Sequence, residues 1–276
     1  MKYLGFKKLF IAWLFTFGMI RFGPAGLGGV KEAIRNLKEF HRLGIKACEL
    51  AFTYGVYLKE NDAREIGKIA SDLDIRLSIH APYWVNLNAS GVKLEQTKKR
   101  ILDSCRIGNI LGASVVVFHP GYYGGMGKEE TFSRVKEAIA DMLDTCRKNG
   151  WSTHLAAETM GKVNVFGDLS EILRLVKETD CDFCIDFAHL LARSGGKMAY
   201  KEMYASVAGF KKLHCHFSGI NYGDKGERNH ILTPSEELKK LLSVLPTNKD
   251  ITIINESPDP LGDSVKAMKI WESLKK

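Results

Sequence analysis

The sequence predicts a single-domain (β/α)8 barrel, a TIM barrel, on three observations. Short apolar runs of β-type residues alternate with amphipathic stretches along nearly the whole chain. There are eight of each, the number of βα units that closes a barrel. No linker, low-complexity tract or longer repeat divides the 276 residues, a length that one barrel accommodates. The strand candidates are 20–22, 47–51, 76–80, 114–119, 154–158, 183–187, 212–217 and 251–256. Helical patterns fill 29–43, 61–73, 93–111, 128–149, 168–179, 200–210, 235–244 and 263–275. The fourth helix shows the period well, with Phe132, Val135, Ile139, Met142 and Leu143 recurring three or four apart. Thr233-Pro-Ser-Glu-Glu sets a proline and cap-type residues before the seventh. A doubly wound open sheet is the rival architecture. However, no Gly-x-Gly-x-x-Gly turn follows the first strand, where Gly23, Gly26 and Gly28 stand at other spacings.

Composition narrows the class. Hydrophobic residues at 45% and charged residues at 26% are those of an ordinary globular protein. The six cysteines (Cys48, Cys105, Cys146, Cys181, Cys184 and Cys215) sit mostly within apolar stretches such as Lys46-Ala-Cys-Glu-Leu. They read as buried small hydrophobes of a reducing, cytoplasmic protein, not as a secreted disulfide framework. Forty basic against thirty-two acidic residues, a net charge of +8, favour a polyanionic partner such as nucleic acid or a phosphorylated metabolite. Residues 1–18 combine a basic start with an apolar run, Leu9 to Phe17, that imitates a signal peptide. The run is far short of a membrane span and lacks a small-x-small cleavage site. It is taken as an N-terminal extension, or an upstream start codon, before a barrel domain over 19–276.

Chemistry gathers at the strand ends. His80 ends the third strand, His119 the fourth, Glu158 the fifth and Asp186 the sixth. His214 and His216 lie on the seventh, and Glu256 ends the eighth. In a barrel these positions converge on the catalytic mouth. A carboxylate closing an apolar run is costly to bury unpaired, so the ring points to a polynuclear metal site. Mixed imidazole and carboxylate ligands suit zinc, manganese or iron. Two loops extend the ring: His189 follows Asp186, and Gly226-Glu-Arg-Asn-His230 offers Glu227 and His230.

His80-Ala-Pro-Tyr-Trp-Val-Asn-Leu, Phe118-His-Pro-Gly121, Glu158-Thr and Cys184-Ile-Asp-Phe-Ala-His189 together resemble endonuclease IV. Those enzymes are apurinic/apyrimidinic endonucleases of the xylose-isomerase-like superfamily. The resemblance runs in order from Met19 through nearly the whole chain. It implies hydrolysis of the DNA backbone 5′ of abasic sites by a monomer with up to three metals per chain, usually zinc. One metal would take His80, His119 and Glu158. A second would share Glu158 and add Asp186, His216 and Glu256. The third would use His189, His230 and Glu227. Glu158 would also orient the attacking water. Tyr83 and Trp84 stand where the family inserts side chains into damaged DNA. Arg228, with Lys128, Lys162 and Lys225, could meet phosphates.

The chain departs from the family pattern in places. His214-Cys-His216 replaces a single histidine, and both histidines face one side of the strand; His216, nearer the mouth, is preferred. Glu227-Arg-Asn-His230 is one residue longer than the usual Asp-Arg-His. The loop after the second strand, Phe52 to Leu58, lacks the family's Gln- and Arg-bearing pattern. A single-metal sugar isomerase or epimerase of the same superfamily would need only Glu158, Asp186, His216 and Glu256, with a carboxylate moving a proton beside a metal-polarised carbonyl. A non-catalytic binding protein on the same barrel is the third reading.

Overall fold

In the computed structural model, which describes residues 18–275, eight parallel strands form the barrel. They are β1 (Ile20–Pro24), β2 (Ala47–Ala51), β3 (Arg76–His80), β4 (Val115–Phe118), β5 (His154–Glu158), β6 (Asp182–Asp186), β7 (Lys212–Phe217) and β10 (Asp250–Asn255). The ladder runs β1-β10-β7-β6-β5-β4-β3-β2. Between the two ends of that order, the Lys46 amide donates to Phe22 O (3.2 Å) and the Gly26 amide to Glu49 O (2.7 Å), so β1 meets β2 and the barrel closes. The backbones approach closely there: a Cβ on Gly23 would fall 1.9 Å from the Ala47 carbonyl oxygen. All eight predicted strands are present, four with the predicted bounds and four with ends shifted by one or two residues.

The outer layer holds α1 (Val30–Arg42), α2 (Glu60–Asp72), α3 (Gly91–Leu111), α4 (Lys128–Lys148), α5 (Leu169–Thr179), α6 (Phe187–Arg193), α7 (Tyr200–Val207), α8 (Ser235–Leu242) and α9 (Pro260–Leu274). The short α6 has no counterpart among the predicted helices. Its start follows from Asp186, whose Oδ1 accepts the His189 amide (2.7 Å) and caps the helix. Residues 219–231, expected as a loop, instead form an antiparallel hairpin of β8 (Gly219–Gly223) and β9 (Gly226–Ile231). Residues 1–17 of the expected extension lie outside the described residues.

Strand alternation divides the core unequally. Outward residues such as Cys48, Leu50, Val116, Phe118 and Ile185 pack under the helices in the large hydrophobic cluster. Val115, Val117, Ala156 and Cys184 make up a separate small cluster. Glu49, Ser78, His80, Glu158, Asp186, His214, His216 and Thr252 are buried polar residues of the same strands. The barrel is thus fastened by its helices and keeps polar groups within. At the N-terminal end, Arg76 makes a paired contact with Asp250 (Nη1–Oδ1 and Nη2–Oδ2, both 2.9 Å), and Arg21 adds a third (2.8 Å). The six cysteines are free and buried. No helix among the described residues is long and apolar enough to cross a membrane.

Gly23→Ala is expected to destabilise the protein by about 1–3 kcal/mol, because the new methyl meets backbone at the closing seam and not a yielding side chain. Equilibrium urea denaturation of the variant beside wild type measures this. An unchanged midpoint would mean that β1 and β2 have slack.

Candidate metal centre

Glu158 ends β5 with no exposed surface. Its Oε2 lies 3.1 Å from both His80 Nε2 and His119 Nε2, and its Oε1 3.2 Å from His216 Nδ1 and 3.3 Å from His189 Nδ1. One carboxylate therefore faces imidazoles on both of its oxygens. Three sets of donor atoms adjoin, each within 4.8 Å: His80, His119 and Glu158; Glu158, Asp186, His216 and Glu256; and His189, Glu227 and His230. These are the groupings expected from the resemblance.

The histidines share a wiring pattern. His80 Nδ1 is 2.8 Å from Ala81 O, and His189 Nδ1 is 2.9 Å from Thr159 O. A carbonyl only accepts, so each Nδ1 carries a proton and each Nε2 is the nitrogen left to face the centre. Ser218 Oγ donates to Gly219 O (3.0 Å) and is 2.5 Å from His230 Nδ1. It is left to accept from that ring, whose Nε2 faces Glu227 (3.8 Å). Asp186 spends Oδ1 on the α6 cap, while Oδ2 is buried without a hydrogen-bond partner.

The seventh strand separates its two histidines. His216, fully buried and paired in register with Asp186, belongs to the mouth. His214 points inward as well but one layer lower, where its Nε2 is 3.0 Å from Glu49 Oε2. It groups with Cys184 and His216, apart from the carboxylates of the mouth.

The third set depends on the hairpin. Asn221 pairs with Asn229 but Tyr222 with Glu227, so Arg228 is a bulge residue. Residues three apart on a regular strand face opposite sides. The bulge cancels this and brings Glu227 and His230 together. The extra residue of the motif is absorbed there, and Asn229 is exposed instead of joining the set. Gly226, at φ +86°, docks the hairpin on the loop after β5: the Glu227 amide donates to Gly161 O (3.1 Å) and the Val163 amide to Lys225 O (3.2 Å).

Tyr83 and Trp84 are placed differently from each other. Tyr83 lies flat on the His119 ring, with centroids 5.3 Å apart and planes within 6°, and meets His80 edge-on. Trp84 is 70% exposed. Arg228, Lys128, Lys162 and Lys225 are exposed.

Glu49, with Ser78 beneath it, is the buried group that strand-end reasoning passes over. It sits in the middle of β2, inside an apolar run, and the same cost of burying a carboxylate that singled out Glu158 could have found it.

Burial works against the charged form of each of these groups, and for all but His214 their neighbours outweigh it. His216, His119 and His189 hold the Glu158 carboxyl well below the usual range, and His216 and His214 do the same for Glu49. Conversely, Cys184 and the Glu256, Glu49 and Glu158 carboxylates hold His216 well above the ordinary histidine value. Asp186, Glu158 and Glu227 do so for His189. For His214 burial prevails and its pKa falls.

A family model described as a xylose isomerase-like TIM barrel matches residues 37–274. The chain belongs to the xylose isomerase-like TIM barrel family. Within it, an uncharacterized protein of Methanocaldococcus jannaschii is 37% identical over 272 residues, covering 93% of this chain and 98% of the relative. The apurinic-apyrimidinic endonuclease of Caenorhabditis elegans is 27% identical over 219 residues, 71% of this chain and 53% of that protein. This match takes in about half of the nematode enzyme's length. Among solved structures, SacUVDE superposes with a TM-score of 0.73 at 17% identity, covering 94% of this chain and 100% of that one. Endonuclease IV of Thermus thermophilus gives 0.68 at 20% identity, with coverages of 93% and 98%. A D-psicose 3-epimerase of Clostridium cellulolyticum gives 0.66 at 11%, with coverages of 91% and 98%. At such identities the three share this fold alone, which an endonuclease and an epimerase thus have in common.

The pKa directions fix how the metal-free protein responds to pH. His189 and His216 are raised, so their contribution to stability is complete below the unfolded histidine value of about 6.5 and is lost as pH rises through their folded values. Glu49 and Glu158 are lowered, so theirs is present above about 4.3 and is lost as pH falls. Chelator-treated protein should be most stable between those limits and lose Tm on either side. A Tm that stays level from about pH 4 to about pH 9 would contradict the network.

Proposed function

We propose that this chain is a metal-dependent phosphodiesterase of the endonuclease IV kind, which hydrolyses the DNA backbone 5′ of abasic sites using up to three zinc ions. The observation that carries the reading is the surplus of donors. His80, His119, His189, Glu227 and His230 stand beyond the four residues a one-metal isomerase would use: the first three contact Glu158 directly, and Glu227 and His230 adjoin through His189. The family membership and the endonuclease relative support it.

The residues present fit metal ions. Asp186 Oδ2 is buried with no hydrogen-bond partner, and the nitrogen and oxygen donor set suits zinc, with manganese as an alternative. The three groups would be held by His80, His119 and Glu158; by Glu158, Asp186, His216 and Glu256; and by His189, Glu227 and His230. Bound divalent metal supplies hydroxide from water near neutral pH and neutralises phosphate oxygens and the leaving alkoxide. Glu158, with one oxygen toward each of the first two sets, orients the attacking water. Carbonyl-anchored His80 and His189 keep their second nitrogens fixed, so the centre needs little reorganisation during reaction.

Duplex DNA suits the outer surface. The exposed aromatic residues among those described are Tyr54, Tyr57, Tyr83, Trp84, Tyr122 and Tyr222. All lie on segments that follow the C-terminal ends of barrel strands, on the side of the mouth. Aromatic faces stack on bases irrespective of sequence, and Trp84 is free to wedge into a stack that a missing base has opened. Arg228, Lys162, Lys225 and Lys128 would meet the backbone. Tyr83 roofs His119 and screens the centre.

A second reading, a single-metal ketose epimerase, is favoured by one observation: Glu158, Asp186, His216 and Glu256 form a complete set by themselves. Purified protein incubated with a duplex bearing one abasic analogue separates the two. Chelator-sensitive incision that leaves a 3′-hydroxyl is expected, lowered about 100-fold or more in Glu158→Gln. Absence of incision, with one metal per chain and ketose epimerisation, would transfer the case to the second reading.

Trp84→Ala should weaken binding to the abasic duplex by about 1–3 kcal/mol and leave metal content unchanged. Fluorescence anisotropy with a labelled duplex measures the first and elemental analysis the second. Equal affinities would remove Trp84 from the interface.

A further inference from the structure

Below the mouth of the barrel lies a second buried polar layer that the reaction does not call on directly. Glu49, on β2, has no exposed surface and, among the described residues, no lysine or arginine within ion-pairing distance. Ser78, its register partner on β3, donates to Oε2 at 2.8 Å, and His214 Nε2 is 3.0 Å from the same oxygen. The other oxygen, Oε1, lies 3.0 Å from His216 Nε2, although the ring N–H is not aligned on it. Among the described residues neither of these two atoms has a hydrogen-bond partner. On the opposite side of the ring, His216 Nδ1 is 3.2 Å from Glu158 and 3.5 Å from Glu256.

A neutral imidazole has one proton and one lone pair, and whatever takes the proton decides which nitrogen is free for a ligand. For His80 and His189 a backbone carbonyl makes that choice; no carbonyl stands behind His216. We propose that Glu49 is the positioning residue of the metal centre. Its carboxylate accepts the Nε2–H of His216, which keeps the ring proton on Nε2 and leaves Nδ1 to the set completed by Glu158, Asp186 and Glu256. The proposal rests on the metal-centre reading above. Ser78 and His214 both engage Oε2, so the other oxygen, Oε1, is the one that faces His216. A carboxylate in that role raises the basicity of the histidine it holds as well as orienting it, which a carbonyl does more weakly.

The test compares wild type, Glu49→Gln, Ser78→Ala and Cys184→Ser for zinc stoichiometry, zinc affinity by chelator competition, and the ring tautomer of His216 by long-range 15N–1H correlation. Glu49→Gln is expected to weaken one zinc about 10–100-fold while the others keep wild-type affinity. The His216 correlation should lose the pattern of an Nε2-protonated, Nδ1-bound ring, which a merely structural role for Glu49 would not alter. Ser78→Ala, which removes one of the hydrogen bonds that hold Glu49 and is the milder change should Glu49→Gln fold poorly, should weaken the same zinc by a smaller factor. Cys184 borders this layer with His214 and His216, and Cys184→Ser should retain every zinc. Wild-type affinity at every site in Glu49→Gln would overturn the role of Glu49 while leaving the metal centre standing. Loss of one zinc in Cys184→Ser would overturn it too, by showing that the layer itself holds an ion. A wild-type protein that binds no zinc would overturn both readings at once.

Discussion

A carboxylate shut away from water needs compensating charge, and Glu158 imposes that need on the rest of the structure. Burying an ionised carboxylate costs several kcal/mol even after relaxation, unless opposite charge or hydrogen bonds meet it on every side. The chain meets it with imidazoles, which arrive on four separate elements: His80 on β3, His119 after β4, His189 on α6 and His216 on β7. Lysine or arginine would neutralise Glu158 permanently. Histidine does so reversibly, because it can give up its proton and keep a lone pair. The same contacts that let the barrel fold around a buried charge therefore leave a set of donors ready for a cation.

The parallel barrel makes this convergence inexpensive in sequence. Each strand brings one inward position to the mouth, so a ring of donors needs one suitable residue per strand and no special loop. Inward positions two residues earlier form the next layer down. Glu49, Ser78, Cys184 and His214 occupy it, and they sit behind the mouth as an outer shell sits behind ligands. Lower still, Arg76 and Arg21 close on Asp250. Polar groups thus run through much of the barrel axis, while the packing that stabilises the fold lies outside it, between strands and helices.

How much of this was legible depended on whether a feature repeats. The strands could be read because apolar runs and amphipathic stretches alternate eight times. The mouth could be read because strand ends are where those runs stop. Glu49 sits mid-strand, where nothing in the pattern marks a boundary, and its neighbour Cys48 gave the segment the look of plain core. The hairpin 219–231 escaped notice because Gly219, Gly223 and Gly226 and its polar residues carry the composition of a loop. Its bulge is a property of pairing, which one strand's sequence does not contain. Tyr83 and Trp84, adjacent and alike in composition, were indistinguishable until packing gave one to His119 and the other to solvent.

That last kind of feature also separates the reaction classes this fold can host. The set Glu158, Asp186, His216 and Glu256 comes from barrel strands or the residue just past one, and is as rigid as the barrel. The set His189, Glu227 and His230 has two of its three members on a hairpin outside the barrel, brought into place by one bulge and one glycine contact. Removing the hairpin would strip the third set and leave the second intact. A barrel of this kind can therefore gain or lose one set of donors through changes in its loops, with no change to the strands that hold Glu158. Whether Arg228 is bulged decides whether Glu227 and His230 share a face, and so whether the third set forms at all.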